Sequence, residues 1–330
     1  MGAAVRPLTL AVVLLGLTLP AGAQEKIRVA GNFATEHSSS VAMEQVFKPE
    51  LAKRSGNQLG VDIFPAMQLG GAKENVDAVR SGALFMTWVG VAFLSRIVPE
   101  LEAISLPFLM PSREVAFKVI DGEVGRLIDG RYADKGFISL GWMELGSRQV
   151  TNSKRPIMTI DDFKGLKIRM QPLETHLATF RALGANPLAM DIKELYSAMQ
   201  QGVVDGQENP FAIIQANRYF EVQKFVSNTG HFYDFIAIVA NRRQFEGMKP
   251  ERQKAIRGAM TAAVAHQRKI AAELDAKAVA ELKKTMQYND VPAKVREDMR
   301  KASAGVVDQV RSRIGAELVD RVLAEVAKTR

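Results

Sequence analysis

Two arginines stand where a charged side chain has chemistry to do. In Asp162-Phe163-Lys164-Gly165-Leu166-Lys167-Ile168-Arg169-Met170-Gln171, strand alternation puts Leu166, Ile168 and Met170 on one face and Arg169 on the other. Arg169 is then either a plain surface arginine or a group held against an anion. Arg148 heads a second short strand in Gly146-Ser147-Arg148-Gln149-Val150-Thr151-Asn152. Downstream, Gly202-Val203-Val204-Asp205-Gly206-Gln207-Glu208-Asn209-Pro210 reads as a polar turn after a helix. A guanidinium presents paired N–H donors that match both oxygens of a carboxylate. Lysine would supply the charge but not the fork.

Catalytic constellations are absent by comparison. The 330 residues include no Cys, which excludes a thiol nucleophile, a thiolate metal site and a disulfide scaffold. There is no P-loop, dinucleotide glycine fingerprint, G-x-S-x-G elbow or HExxH. His37, His176, His231 and His266 never fall at the i, i+3 or i, i+4 spacing of a local metal pair. Asp161-Asp162 reads as support for a helix N-terminus rather than an acid–base dyad. The expectation is a protein that is no enzyme and carries no cofactor or metal.

The elements that must position the arginines follow from composition and periodicity. Hydrophobic residues make up 47% and charged residues 24%, the balance of a folded soluble chain, and the length suits two domains. Arg6, an apolar run from Leu8 to Leu19, Pro20 and Ala21-Gly22-Ala23 form a secretory signal over 1–23 with cleavage near Ala23. That run is too short for the ~20 residues of a spanning helix. A periplasmic chain without membrane insertion is expected.

Strands are expected at Lys26–Ala30, Gln58–Phe64, Leu84–Val89 and Phe137–Met143, with helices over 39–54, 72–81 and 111–132 between them. The alternation argues βαβ units and a mostly parallel sheet. A second set has strands at Arg148–Asn152, Leu166–Gln171 and Asn186–Met190, and helices at Thr175–Leu183 and Lys193–Gln201. Asp191 with Glu194, and Thr159 with Asp162, have the spacing of capping boxes. After a strand at Phe235–Asn241, Lys249-Pro250-Glu251 opens a helix whose apolar stripe runs to Met286. At 1.5 Å per residue it spans roughly 55 Å, enough to lie across two domains.

The net charge is +8, and residues 251–330 carry 17 Lys+Arg against 11 Asp+Glu. Those charges alternate in sign along helices, as on solvated faces, and only Tyr288 interleaves with them, so no nucleic-acid footprint is expected. A mild positive field that draws small anions is the more useful reading.

Taken together, these segments resemble the DctP-like solute-binding proteins of TRAP transporters, the tripartite ATP-independent periplasmic importers of organic acids. The resemblance spans essentially the whole mature chain. It rests on the order and spacing of Gln68-Leu69-Gly70, Leu106-Pro107-Phe108, the Gly165–Arg169 run, the Asp205–Pro210 run, and Glu221-Val222-Gln223-Lys224 followed by His231. It implies an α/β, two-lobed periplasmic-binding-protein fold with a ligand cleft between lobes and a long domain-spanning helix. Lobe I would be 24–146 plus 235–274, and lobe II 147–234 plus 275–330.

In this family the arginine equivalent to Arg169 takes the ligand carboxylate. The equivalent of Arg148 often helps, and that of Asn209 contacts the ligand or holds the first arginine. Gln171 closes the Arg169 strand and joins the candidates. Asn32 and Trp88, at first-lobe strand ends, would complete the pocket, although Trp88 could equally be core. His231 and Tyr233, at the return crossing, either line the cleft or pack at the hinge.

The chain departs from sialic-acid-binding members, with Gly71, Val89 and Ala92 where those carry charged groups. An apolar wall of Trp88, Val89 and Phe93 suggests a monocarboxylate such as a 2-oxo or aromatic acid. A C4-dicarboxylate, with one arginine per carboxylate, stays open. Basic candidates with no nearby acidic partner argue against cationic ligands. Micromolar to nanomolar affinity needs roughly −8 to −12 kcal/mol. One guanidinium, at about 1.5–3 kcal/mol per charged hydrogen bond, cannot supply that, so closure and apolar contacts must. The implied partners are the small organic acid and the membrane subunits of the importer. A ligand-binding module for a membrane sensor would need the same cleft, whereas an exported hydrolase or lyase would need a nucleophile–base pair.

Overall fold

The computed structural model describes residues 25–329, so the expected export signal and its cleavage site lie outside the described residues. Along the chain run β1 (Glu25–Gly31), β2 (Leu59–Phe64), β3 (Met86–Gly90), β4 (Phe137–Ser147), β5 (Gln149–Asn152), β6 (Lys167–Met170), β7 (Asn186–Ala189), β8 (Gly206–Asn209), β9 (Phe225–Asn228), β10 (Tyr233–Asn241) and β11 (Gln287–Asp290). They form two sheets, one in the order β2-β1-β3-β10-β4 and one in the order β11-β9-β5-β8-β6-β7.

Both sheets are mixed rather than mostly parallel. β1 pairs in parallel with β2 and β3, but β10 runs antiparallel to β3 and β4. The reason is topological: β10 re-enters the first sheet from the second, and so runs against its neighbours. In the second sheet β6 is parallel to β7 and β8, while β5 is antiparallel to β8 and β9.

The chain passes between the sheets at three places. β4 ends at Ser147 and β5 begins at Gln149, which leaves Arg148 as the single residue between them. β9 ends at Asn228 and β10 begins at Tyr233, and the two crossings are tied by the Arg148 N–H donating to the Phe232 carbonyl at 2.9 Å. The third passage is the helix Pro250–Thr285, 36 residues long, which leads into β11. Pro250 sits in its first turn, where the missing N–H costs nothing.

Three apolar clusters hold the elements. One face of the first sheet (Ile27, Val29, Met86, Trp88, Ile236, Ile238) packs on the long helix through Ile256, Ala259, Met260 and Ala263. The other face (Ala30, Val89, Ala237, Val239) packs on the helices Ala72–Ser81, Arg113–Asp121 and Glu123–Asp134. The last two helices, Gly305–Ile314 and Ala316–Thr329, add Val306, Val310, Val319, Val322 and Val326 to that same cluster. The third cluster collects Leu166, Ile168 and Met170 with Phe163, Phe180 and Phe232, the side of β6 that alternation assigns to the core. Each such buried side chain contributes roughly 1.5–3 kcal/mol. Among the described residues no helix is long and apolar enough to cross a membrane.

Candidate ligand-binding site

Of the Gly202–Pro210 segment expected to be a polar turn, Gly206–Asn209 is a strand, and only the residues before it turn. β8 lies in the middle of the second sheet, between β5 and β6. Gly-Gln-Glu-Asn has poor intrinsic strand propensity, but tertiary pairing overrides it. Gly206 is required there, since a Cβ would fall 2.1 Å from the Thr151 carbonyl oxygen. The polar side chains are buried because they serve one another. Gln207 donates to Thr151 Oγ1 at 3.0 Å, and Asn209 donates to Gln207 Oε1 at 2.6 Å.

Glu208, which the sequence did not single out, is the counter-ion of Arg148. The Arg148 Nε–H donates to Glu208 Oε2 at 2.5 Å and its Nη2 to Oε1 at 2.8 Å, a two-point guanidinium–carboxylate pair with both side chains fully buried. Nη2 also reaches the Glu208 carbonyl at 2.7 Å and Asn209 Oδ1 at 3.1 Å, and Nη1 reaches Asp234 Oδ2 at 3.3 Å. The expectation that the basic groups lack acidic partners therefore fails at Arg148. Burial alone would depress the Arg148 pKa, but the Glu208 charge and hydrogen bond, with Asp234, raise it. Burial would likewise raise the Glu208 pKa, and Arg148 and His231 pull it down instead. Burial keeps Asp234 above the ordinary carboxylate range, against the opposing pull of Arg148.

Arg169 is equally buried and differently served. Its Nε–H donates to the Met190 carbonyl at 2.9 Å, which fixes the side chain. Nη1 and Nη2 are both out of solvent and have no hydrogen-bond partner. Burial lowers its pKa; Tyr219, Glu208 and Asp191 oppose that through space, and Arg148 adds to it. A buried guanidinium with four free N–H bonds is costly unless an anion meets it.

The other candidates sort by partner. Gln171 donates to Asp234 Oδ2 at 3.0 Å, and its Oε1 lies 3.0 Å from where a Cβ would stand on Gly90, so the end of β6 meets the end of β3. His231 is buried within the network, with Nδ1 2.7 Å from Thr229 Oγ1 and Nε2 3.2 Å from Glu208 Oε2. Burial lowers its pKa, and Glu208 partly opposes this. Tyr233 donates to Glu144 Oε1 at 2.6 Å and packs edge-on to Phe235, a hinge-side commitment. Trp88 is buried with its indole flat on Gly31, where a Cβ would clash at 2.1 Å, and its Nε1–H has no partner. Asn32 is buried with Oδ1 unpartnered. Val89 and Phe93 belong to a different apolar cluster from Trp88, and the Phe93 ring comes within 3.9 Å of where a Cβ on Gly90 would stand, beside Gln171.

Sequence reasoning missed Glu208 and Tyr219, and read Asp191 only as the helix cap that it is. The only available signal for Glu208 was its place between two amides in an apolar-flanked run. A 60-residue separation from Arg148 hides the pairing.

Two sheets joined by three crossings, with the end of β3 meeting the end of β6 beside the buried arginines, give the two-lobed architecture of solute-binding proteins. The family model for the bacterial extracellular solute-binding proteins of family 7 matches residues 30–313, and the chain belongs to that family. It is a DctP-type solute-binding protein of the TRAP class.

The chain is 33% identical over 271 residues to the 2,3-diketo-L-gulonate-binding periplasmic protein of Escherichia coli, covering 81% of this chain and 82% of the relative. The crystal structure of a sugar acid binding protein from Advenella mimigardefordensis in complex with galactonate superimposes with a TM-score of 0.91 at 30% identity, covering 93% of this chain and 99% of that one. A TRAP periplasmic solute-binding protein from Polaromonas bound to D-erythronate gives a TM-score of 0.87 at 31% identity, covering 91% and 99%.

Proposed function

We propose that this protein, exported by a signal cleaved near Ala23, captures a monocarboxylate and delivers it to the membrane subunits of a TRAP transporter. One observation supports the reading above the others: Arg169 is buried, fixed through Nε, and has both terminal nitrogens unpartnered. Two parallel N–H donors in a dry site suit a carboxylate.

A dicarboxylate would need a second free cation, and the Arg148 charge is already matched by Glu208. The roles of Arg148, Asn209, Gln171 and His231 are then to hold the floor beneath the anchor. Trp88 Nε1 and Asn32 Oδ1 are buried polar atoms that a ligand oxygen substituent can satisfy. A donor such as Trp88 Nε1 suits a 2-oxo or 2-hydroxy oxygen, which favours such acids over aromatic ones.

The lobes are 24–146 plus 235–274 and 147–234 plus 275–330, with the final two helices strapped to the first lobe's core cluster. Closure brings Arg169 against the first lobe.

The test is thermal shift with a panel of organic acids on protein stripped of ligand by unfolding and refolding. A ligand at a thousand times its Kd stabilises by about 4 kcal/mol. A panel in which no carboxylic acid raises Tm defeats the proposal. Stronger binding of dicarboxylates than of monocarboxylates of equal length would move the reading to the C4 class.

A further inference from the structure

Asp191, which the sequence marks as a helix cap, has a second carboxylate oxygen that the cap does not use. It follows Met190, whose carbonyl holds the Arg169 Nε–H. Its Oδ1 caps the helix Ile192–Gln200 by accepting from the Lys193 N–H at 3.2 Å. Its other oxygen, Oδ2, is out of solvent and has no partner.

That carboxylate stands across the cleft against Gly71. A Cβ on residue 71 would fall 2.8 Å from Oδ2 and 3.0 Å from the carboxyl carbon. Glycine at 71 therefore makes room shared by Asp191 and by Glu74, whose Oε2 would lie 2.7 Å from the same Cβ. The neighbouring Lys193 ammonium donates to Glu74 and makes no hydrogen bond to Oδ2. Asp191 also lies close enough to Arg169 to act on its charge.

A ligand carboxylate, a carbonyl or a bare carbon chain cannot satisfy a carboxylate oxygen; only a donor can. Asn32 Oδ1 presents a second buried acceptor with the same need. Once Arg169 has taken the ligand's negative end, a chain without O–H groups leaves these acceptors desolvated and unmet. A hydroxylated chain meets them. Discrimination of this kind is large because it penalises the wrong ligand.

Resting on the reading of Arg169 as the carboxylate anchor, we propose that Asp191 is a specificity-determining residue that accepts a hydrogen bond from a ligand hydroxyl, selecting polyhydroxylated acids over unsubstituted chains of equal length. Gly71 is the permissive partner of that choice.

The test is calorimetric titration of full-length wild type and Asp191→Ser, stripped of ligand, with galactonate, hexanoate and 6-aminohexanoate. Serine keeps a helix-capping oxygen and removes the carboxylate, and far-UV circular dichroism checks the fold. Wild type should bind galactonate more tightly than either other acid. Asp191→Ser should lose roughly 10- to 100-fold on galactonate, the worth of one hydrogen bond to a charged group, with little change on hexanoate.

Retained galactonate affinity in the variant, or an equal loss on galactonate and hexanoate, overturns the inference. So does tighter wild-type binding of hexanoate, and a preference for 6-aminohexanoate would assign Oδ2 to an ammonium instead. Those results leave the Arg169 anchor standing. Wild type that binds none of the three, nor any acid of the wider panel, removes both.

Discussion

Arg148 and Arg169 are the same side chain, both fully buried and both in the second sheet's region, yet their surroundings are opposite. Arg148 meets a two-point carboxylate, a backbone carbonyl, an amide oxygen and a second carboxylate. Arg169 meets one carbonyl through Nε and nothing through its terminal nitrogens. The first arrangement closes its own electrostatic account inside the fold. The second leaves two terminal nitrogens without a hydrogen-bond acceptor, with Glu208 and Asp191 acting on the charge only through space. On the proposed reading, the cation matched by the protein supports the fold and the one left without partners binds the ligand.

Replacing each arginine breaks or sharpens that contrast, and the largest effect belongs to Arg148. Arg148→Met leaves Glu208 buried without its counter-ion, a change worth about 3–5 kcal/mol of stability. Urea unfolding should show it as a lower midpoint. Arg169→Met removes an unmatched buried charge, so the ligand-free variant should be as stable as wild type or more so. Equal destabilisation by both substitutions would erase the distinction.

The next effect is on binding. Arg169→Lys keeps the charge and loses the fork, so affinity for the acid that binds wild type should fall roughly 10- to 100-fold while the circular dichroism spectrum is unchanged. Full affinity in Arg169→Lys would mean that a point charge suffices and that the carboxylate is not held at two points.

This contrast was half legible in the sequence. Alternation in Leu166–Gln171 put Arg169 opposite the core residues, and the structure keeps Leu166, Ile168 and Met170 in one cluster. Nothing local showed that the Arg148 charge was matched, because Glu208 is distant in the chain and sits in a strand whose composition reads as a turn. β9 and β11 were missed for a related reason. Each is four residues long, and their pairing is non-local (Phe225–Asn228 with Gln287–Asp290). Strands whose order comes from partners far along the chain leave little periodicity to read.

Two histidines near Glu208 repeat the arginine contrast on a smaller scale. His231 is tied to Thr229 and Glu208, whereas His176 stacks on Phe232 at 3.9 Å with both ring nitrogens unpartnered. Burial lowers the His176 pKa to about 3. The unfolded chain therefore binds a proton that the folded chain refuses between the unperturbed value near 6.5 and about 3. Stability from this ring is complete above about pH 6.5 and falls as pH drops through that window, by up to about 2 kcal/mol at pH 5. His176→Phe should preserve the stack and flatten the acid limb of the Tm-against-pH curve. An unchanged limb would assign acid sensitivity elsewhere; His37, also lowered to about 3 by burial, is the next group to test.

The smallest effect separates buried from exposed pairing. Lys193 and Glu74 join the helices Ile192–Gln200 and Ala72–Ser81 across the mouth of the cleft, with side chains 39% and 51% exposed. Each draws the other toward its charged form, chiefly through their hydrogen bond. An ion pair this wet is worth little, because water and salt already stabilise its separated charges. On the proposed division into lobes the pair joins one lobe to the other, and on that reading its contribution favours the closed state and is read as ligand affinity. Lys193→Ala should weaken binding by less than about 5-fold at low ionic strength, and the difference from wild type should shrink as salt is added. The Arg169→Lys loss should persist under the same salt, since its charge is shielded from solvent. A salt-insensitive Lys193→Ala defect would mean that the lysine packs or contacts ligand rather than latching the cleft.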